Sequence, residues 1–161
     1  MEKTNFLIKL QVQGKIEEVE ISPEMVESYM RKSESNLISS KILLKNDRLE
    51  ESVSLAYYSM HHMLTAALFR MGIKCENHMG AIILLKELFN LDNSEISAAK
   101  RDRVDKQYYT DFVITKEEVN ISIRKTEESN SMIISFISRL DSGKVAEIKR
   151  QFKEIMNTTG G

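Results

Sequence analysis

A chain of 161 residues with 42% hydrophobic content has the length and the apolar surface to build one domain with its own core, which excludes wholesale disorder. Lys+Arg 23 against Asp+Glu 24 leaves a net charge of -1, so no global basic field advertises nucleic-acid binding and any such contact must be local. A single cysteine, Cys75, excludes an internal disulfide framework and a multi-cysteine zinc site.

A lone thiol suits a reducing compartment. The N-terminal residues carry no apolar run of signal-peptide length, and no segment approaches the roughly 18–20 apolar residues that span a bilayer. The expectation is a cytoplasmic protein with no membrane segment. Gly 6 and Pro 1 are few breakers for this length, and Met 9 with many Leu, Ile, Glu and Lys suits long helices, so the composition predicts an all-α fold.

In chain order, Phe6, Ile8, Leu10 and Val12 alternate with mostly polar neighbours, Gln13-Gly14 offers a turn, and Ile16, Val19 and Ile21 follow. This predicts a small N-terminal β-hairpin or extension over 1–21, lying against the helices or a second subunit because an isolated hairpin is marginal in water. Ser22-Pro23 reads as a helix start, with Ser22 as cap and Pro23 where its missing N–H costs nothing. Val26, Met30, Ser33, Leu37, Ser40 and Leu44 then recur at intervals of four and three and define a helix over 23–45, ended by Asn46-Asp47. The next helix, over 48–71, has the broadest apolar face in the chain, with Leu49, Val53, Ala56, Met60, Met63, Ala67 and Met71 widened by Tyr57, Leu64 and Leu68. Such breadth predicts burial between several helices, and Gly72 is its natural stop.

Residues 73–76 read as a connector. A third helix runs from Asn77 or His78 to Phe89, and a weaker one from Asp92 to about Asp105. Tyr108 to Phe112 is rich in aromatic and poor helix-forming residues and reads as a loop packed on the core. Thr115 followed by Glu118 is a capping-box pattern, after which Val119, Ile123, Thr126, Asn130, Ile133, Ile137 and Leu140 repeat with strict four-three spacing. Residues 141–143 interrupt the pattern, and Val145, Ile148, Phe152 and Ile155 mark a last helix before a fraying tail.

No glycine-rich phosphate loop, paired carboxylate motif or serine-hydrolase elbow is present. The candidate chemistry lies in aromatic, histidine and arginine groups. His61 and His62 are adjacent and diverge by about 100° on a helix, so they do not share a metal ion easily. Tyr57 and His61 are four apart on one face, which serves either base stacking and phosphate contact or plain core packing. His78 at a helix start is either a cap or an anion contact. Lys100, Arg101, Arg103 and Lys106 form a cation cluster broken by Asp102 and Asp105, readable as a phosphate site or as a solvated helix face.

The order of these features resembles a known family. Residues 29–44 are similar to the first helix of HEPN (higher eukaryote and prokaryote nucleotide-binding) domains. Residues 48–62, with Ala56-Tyr57-Tyr58 and His61-His62, resemble the second helix with its Ala-Tyr-Tyr signature. His78-Met79-Gly80 resembles the His-x-Gly start of the third, and Arg103 to Tyr109 with Asp111 the region before the last core helix. The resemblance covers 22–140 and leaves 141–161 as an additional C-terminal helix and tail.

It implies an up-and-down bundle of four to five helices, a homodimer, the binding of a nucleotide or RNA, and partnership with a nucleotidyltransferase in a toxin–antitoxin-like pair. Catalytic members are metal-independent ribonucleases in which an Arg is followed about four to six residues later by a His, the pair activating the 2′-hydroxyl and stabilising charge. Counting from Arg103, that interval holds Gln107, Tyr108 and Tyr109, and from Arg101 it holds Asp105, Lys106 and Gln107. A tyrosine with a pKa near 10 is a poor base at neutral pH. The expectation is therefore a non-catalytic HEPN-type module with Tyr57, Tyr58, His61, His78, Arg103 and Tyr108 at its ligand site and neither cofactor nor metal. The alternatives are a divergent ribonuclease toxin using Arg103 with Tyr108, Tyr109 or a recruited histidine, and a structural protein whose aromatic face forms a dimer core.

Overall fold

The computed structural model describes residues 2–108 and 113–158, the side chains of 104–108 excepted. In chain order the elements are α1 (Glu2–Val12), β1 (Ile16–Glu18), α2 (Pro23–Lys45), α3 (Leu49–Arg70), β2 (Ile73–Cys75), α4 (His78–Glu87), α5 (Ser94–Tyr108), α6 (Lys116–Ser138) and α7 (Ser142–Asn157). The all-α reading holds. Helix α3 is the central member: it packs against α2, α4, α5, α6 and β2, and Ala56, Tyr57, Leu64, Ala66 and Ala67 on it are fully buried. Among the described residues no helix is long and apolar enough to cross a membrane.

Local chemistry sets the helix ends. The Ser22 hydroxyl accepts from Met25 N–H at 3.3 Å and Pro23 opens α2. Thr115 and Glu118 close the reciprocal capping box at α6, with Glu118 N–H donating to Thr115 Oγ1 at 3.2 Å and Thr115 N–H donating to Glu118 Oε2 at 2.8 Å. Asp141 caps α7 through Lys144 N–H at 2.7 Å, so Ser142 and Gly143 belong to that helix and only residues 139–141 separate it from α6.

Two polar positions in the α2 stripe, Ser33 and Ser40, hold α2 against α3. Ser33 Oγ donates to Ser59 O and Ser59 Oγ donates to Ser33 O, at 2.7 and 2.8 Å. Ser40 and Ser52 repeat the same exchange at 2.7 Å each. Asn130 of α6 donates to Ser59 Oγ at 2.9 Å and to Ser33 Oγ at 3.3 Å. All five side chains are buried. Small hydroxyl residues let the two backbones approach, and mutual donation satisfies each buried hydroxyl without a longer side chain.

The N-terminal segment departs from expectation. Residues 6–12, read as the first strand of a hairpin, lie within α1. The alternation of Phe6, Ile8, Leu10 and Val12 coexists with a helical stripe of Phe6, Leu7 and Leu10, and the helix wins because Leu7 and Leu10 bury to 1% and 3% exposure while Val12 stays 82% exposed. Gly14 does not turn a hairpin but ends α1. At φ 69° it sits in a Schellman motif, with Gly14 N–H bonded to Gln11 O at 2.9 Å and Lys15 N–H to Leu10 O at 2.8 Å.

The strand that follows, β1, finds its partner far along the chain. It pairs antiparallel with β2, Ile16 opposite Cys75 and Glu18 opposite Ile73, and bonds from Glu76 N–H to Lys15 O and from Val19 N–H to Gly72 O, each 2.8 Å, extend the ladder. The connector expected at 73–76 is thus largely a strand. Gly72, at φ 70°, leaves no room for a side chain, since a Cβ there would meet Val19 O at 2.6 Å. Of the loop expected at 108–112, Tyr108 ends α5 and residues 109–112 lie outside the described residues.

Candidate functional site

Helix α3 turns once every 3.6 residues, so Tyr57 and His61 stack along one face and Tyr58 and His62 along the next, with ring centroids 6.2 and 6.3 Å apart. Helix α4 begins with His78, fixed there because Asn77 caps the helix by accepting from Gly80 N–H at 2.8 Å. The imidazole of His78 lies flat against that of His61, centroids 3.8 Å apart, and its Nδ1 is 2.7 Å from the Tyr57 hydroxyl. From α5, the Arg103 guanidinium lies over both tyrosine rings, 4.9 Å from the centroid of Tyr58 and 5.5 Å from that of Tyr57. Three helices thus deliver a cation, two phenols and three imidazoles to one wall.

Burial dominates the electrostatics of this wall. It pushes the Tyr57 phenol up to about 12, against the opposing pull of Arg103. It pulls His61 down to about 3, with His78, His62 and Arg103 acting in the same direction. His62 is lowered by burial and then by Lys32, and His78 by burial and then by Arg103 and Lys100. The imidazoles are therefore neutral at pH 7, and the positive charge of the wall resides on Arg103 and neighbouring lysines.

Beside the wall a pocket of about 270 Å³ opens between α2, α3 and β2. Tyr29 and Phe69, stacked at 5.4 Å, form one side of it. Tyr58, His61, His62 and His78 form another, and Lys74 and Glu76 border it. Lys32 sits 5.1 Å from the centre of the Tyr29 ring, adding a second cation near the aromatic cluster.

Of the residues expected at the ligand site, Tyr57, Tyr58, His61, His78 and Arg103 come together. Tyr57 and His61 are buried, Tyr57 to 0% exposure, so Tyr57 presents no ring face to a ligand and supports its neighbours. Tyr58, His78 and Arg103 are half-buried and reach the surface. The Tyr108 side chain and all of Tyr109 lie outside the described residues. Among the described residues no group of His, Cys, Asp and Glu is arranged to hold a metal ion. Tyr29, Phe69, Lys74 and Glu76 were not anticipated. The alternation of Ile73 and Cys75 with Lys74 and Glu76 was the available sign that residues 74 and 76 share one face of a strand.

The family model for the HEPN domain matches residues 26–140. The chain belongs to the HEPN domain family. The match runs through α3, α4, α5 and α6, so Tyr57, Tyr58, His61, His78 and Arg103 all lie within it. A UPF0332 protein of Pyrococcus horikoshii is 43% identical over 60 residues, 37% of this chain and 42% of that protein. A UPF0332 protein of Thermotoga maritima is 29% identical over 66 residues, 41% of this chain and 50% of that one. The aligned stretches span half or less of these curated relatives. In this HEPN domain α1 and β1 precede the matched residues and α7 follows them, yet β1 bonds directly to β2 at the pocket's border.

Proposed function

We propose that this HEPN domain is a non-catalytic binding module that takes a nucleotide or an RNA strand on the wall of Tyr58, His61, His62, His78 and Arg103. One observation carries this reading: the Arg103 guanidinium lies over the Tyr58 ring beside an aromatic pocket. A cation held next to stacking surfaces suits a ligand with phosphate at one end and a flat ring at the other. The acidities of Tyr57 and His61 argue against cleavage by this pair. Transphosphorylation of RNA needs one group to take the 2′-hydroxyl proton and another to protonate the leaving oxygen. Tyr57, near 12, and His61, near 3, are poorly matched to either task at neutral pH. Calorimetry with ATP, GTP and short RNAs tests the reading: binding that weakens on Arg103→Ala supports it, and no heat with any of them sinks it.

A second reading is favoured by the proximity of His78 to Arg103, whose charge adds to burial in lowering that histidine's pKa. In a divergent ribonuclease, the nitrogen of neutral His78 that is not bonded to Tyr57 would take the 2′-hydroxyl proton as the 2′-oxygen attacks phosphorus. Arg103 would stabilise the phosphorane, and the P–O5′ bond would break with the 5′-oxygen taking a proton from water or from the protonated His78. It predicts RNA fragments with 2′,3′-cyclic ends, formed in the presence of a chelator and abolished by either His78→Ala or Arg103→Ala. Intact RNA at high protein excess removes it. A protein partner, a second copy or a nucleotidyltransferase, belongs to the same proposal, and its recovery with this chain from native cells would support a toxin–antitoxin-like pair.

A further inference from the structure

The pocket beside the wall is smaller than the roughly 300–1,000 Å³ typical of drug-sized ligand sites, and at about 270 Å³ it has room for one ring system rather than a whole nucleotide. Its sides are aromatic. Two of its lining side chains carry buried ring nitrogens, Nδ1 of His61 and Nδ1 of His62, with no hydrogen-bond partner among the described residues. His61 is only 9% exposed, so a polar atom without a partner lies at a depth where proteins normally satisfy such groups. Aromatic and imidazole faces on two sides of a narrow pocket fit a flat ring better than an aliphatic chain.

At the border stand Lys74 and Glu76. They are two apart on an extended segment, which directs them to the same side, and Lys74 Nζ meets Glu76 Oε1 at 2.7 Å. Pairing with β1 holds this segment: Lys74 lies opposite Glu17, and Glu76 N–H bonds to Lys15 O. Both side chains are substantially exposed, 41% and 56%. An exposed ion pair is weakly held and exchanges readily for another partner of the same polarity.

We infer that this pocket takes a single unstacked nucleobase and selects guanine, Lys74 donating to O6 and Glu76 accepting from N1–H and the 2-amino group. The inference rests on the binding reading above and specifies its ligand. Guanine alone among the four bases offers two adjacent donors for both oxygens of one carboxylate together with an acceptor for a neighbouring ammonium. Adenine and cytosine each offer the carboxylate a single amino group, and uracil a single N–H between two acceptors. With the base in the pocket, the sugar and phosphate remain outside, past Tyr58 and His78 toward Arg103.

Calorimetric titration of the full chain with GMP, IMP, AMP, CMP and UMP tests this, together with a short single-stranded RNA and the same RNA carrying inosine for guanosine. Inosine keeps O6 and N1–H but lacks the 2-amino donor. GMP should bind about tenfold tighter than AMP, CMP or UMP, within the range of one bidentate contact, with IMP between. Glu76→Gln should level these affinities. Equal affinities, a preference that survives Glu76→Gln, or RNA binding indifferent to inosine would each overturn the guanine assignment and leave the binding reading intact. Absence of binding by every nucleotide and by the RNA would overturn both.

Discussion

The Tyr57 hydroxyl lies 2.7 Å from His78 Nδ1 and ties the buried face of α3 to the first residue of α4. A neutral imidazole accepts at one nitrogen and donates at the other, so this bond fixes the ring through Nδ1 in either tautomer, the phenol donating to a bare Nδ1 or an Nδ1–H donating to the phenol oxygen. The two residues are 21 positions apart. Replacing Tyr57 with Phe keeps the packing and leaves Nδ1 without its partner, so Tyr57→Phe should cost about 1–2 kcal/mol. Urea unfolding checks the size. If the bond positions His78, the variant should also weaken ligand binding about as much as His78→Ala, and the double variant should add little.

Arg103 is expected to contribute charge as well as stacking. Arg103→Ala should weaken binding of a short single-stranded RNA and reduce the slope of log affinity against log salt by about 0.7, the value for one phosphate contact on a single strand. Arg103→Lys should retain most of the slope while losing part of the affinity, because a lysine does not present a planar guanidinium to the Tyr58 ring. Titrations at three salt concentrations separate the two effects. An unchanged slope in Arg103→Ala would remove Arg103 from the phosphate contact.

Acid should destabilise the fold through the histidines. The folded pKa of His61 is about 3 against 6.5 for the free side chain, so between these values the unfolded chain binds a proton that the folded chain does not. Its contribution is fully present above pH 6.5 and is lost as pH falls toward 3. By linkage the loss approaches about 3 kcal/mol near pH 4 as an upper bound. His62 and His78, also lowered, act in the same direction. Urea midpoints measured from neutral to acid pH should fall more steeply for the natural chain than for His61→Asn.

The serine exchange between α2 and α3 should tolerate loss of a hydroxyl better than added bulk. Ser33→Ala leaves Ser59 and Asn130 short of a partner and should cost about 1–2 kcal/mol. Ser33→Leu must force apart two helices in contact at a fully buried position and should cost more, about 3 kcal/mol or beyond by overpacking. Thermal unfolding ranks the two. Equal effects would mean that the close approach of the helices is not what the serines provide.

Much of the helical framework was legible in the sequence because its causes are local. Ser22-Pro23, Thr115 with Glu118, and Gly72 satisfy or end helices through groups within a few residues of themselves, so they keep their meaning wherever the helix docks. The four-three stripe of α6 likewise names its buried face, and Val119, Ile123, Thr126, Asn130 and Ile133 on it are buried. Ser33 and Ser40 fell on the α2 stripe for a reason periodicity does not reveal, since their role depends on the residues that α3 brings opposite.

The N-terminus shows where local information fails. Over seven residues Phe6, Ile8, Leu10 and Val12 satisfy a strand period while Phe6, Leu7 and Leu10 satisfy a helical one. Burial of Leu7 and Leu10 decides between them, and burial belongs to the packed structure. The strand of residues 16–18 needed a partner more than fifty positions away, and a ladder of that span leaves no local signature.

By itself the sequence determined a helical bundle, its caps, its central α3 and the residue types available for a ligand. Tertiary structure alone decided which of them meet. Tyr57 faces inward and Tyr58 outward because α3 is buried on several sides at once. His78 and Arg103 join them because α4 and α5 both pack on α3. Lys74 and Glu76 border the same pocket because β1, from the other end of the chain, holds their strand in place.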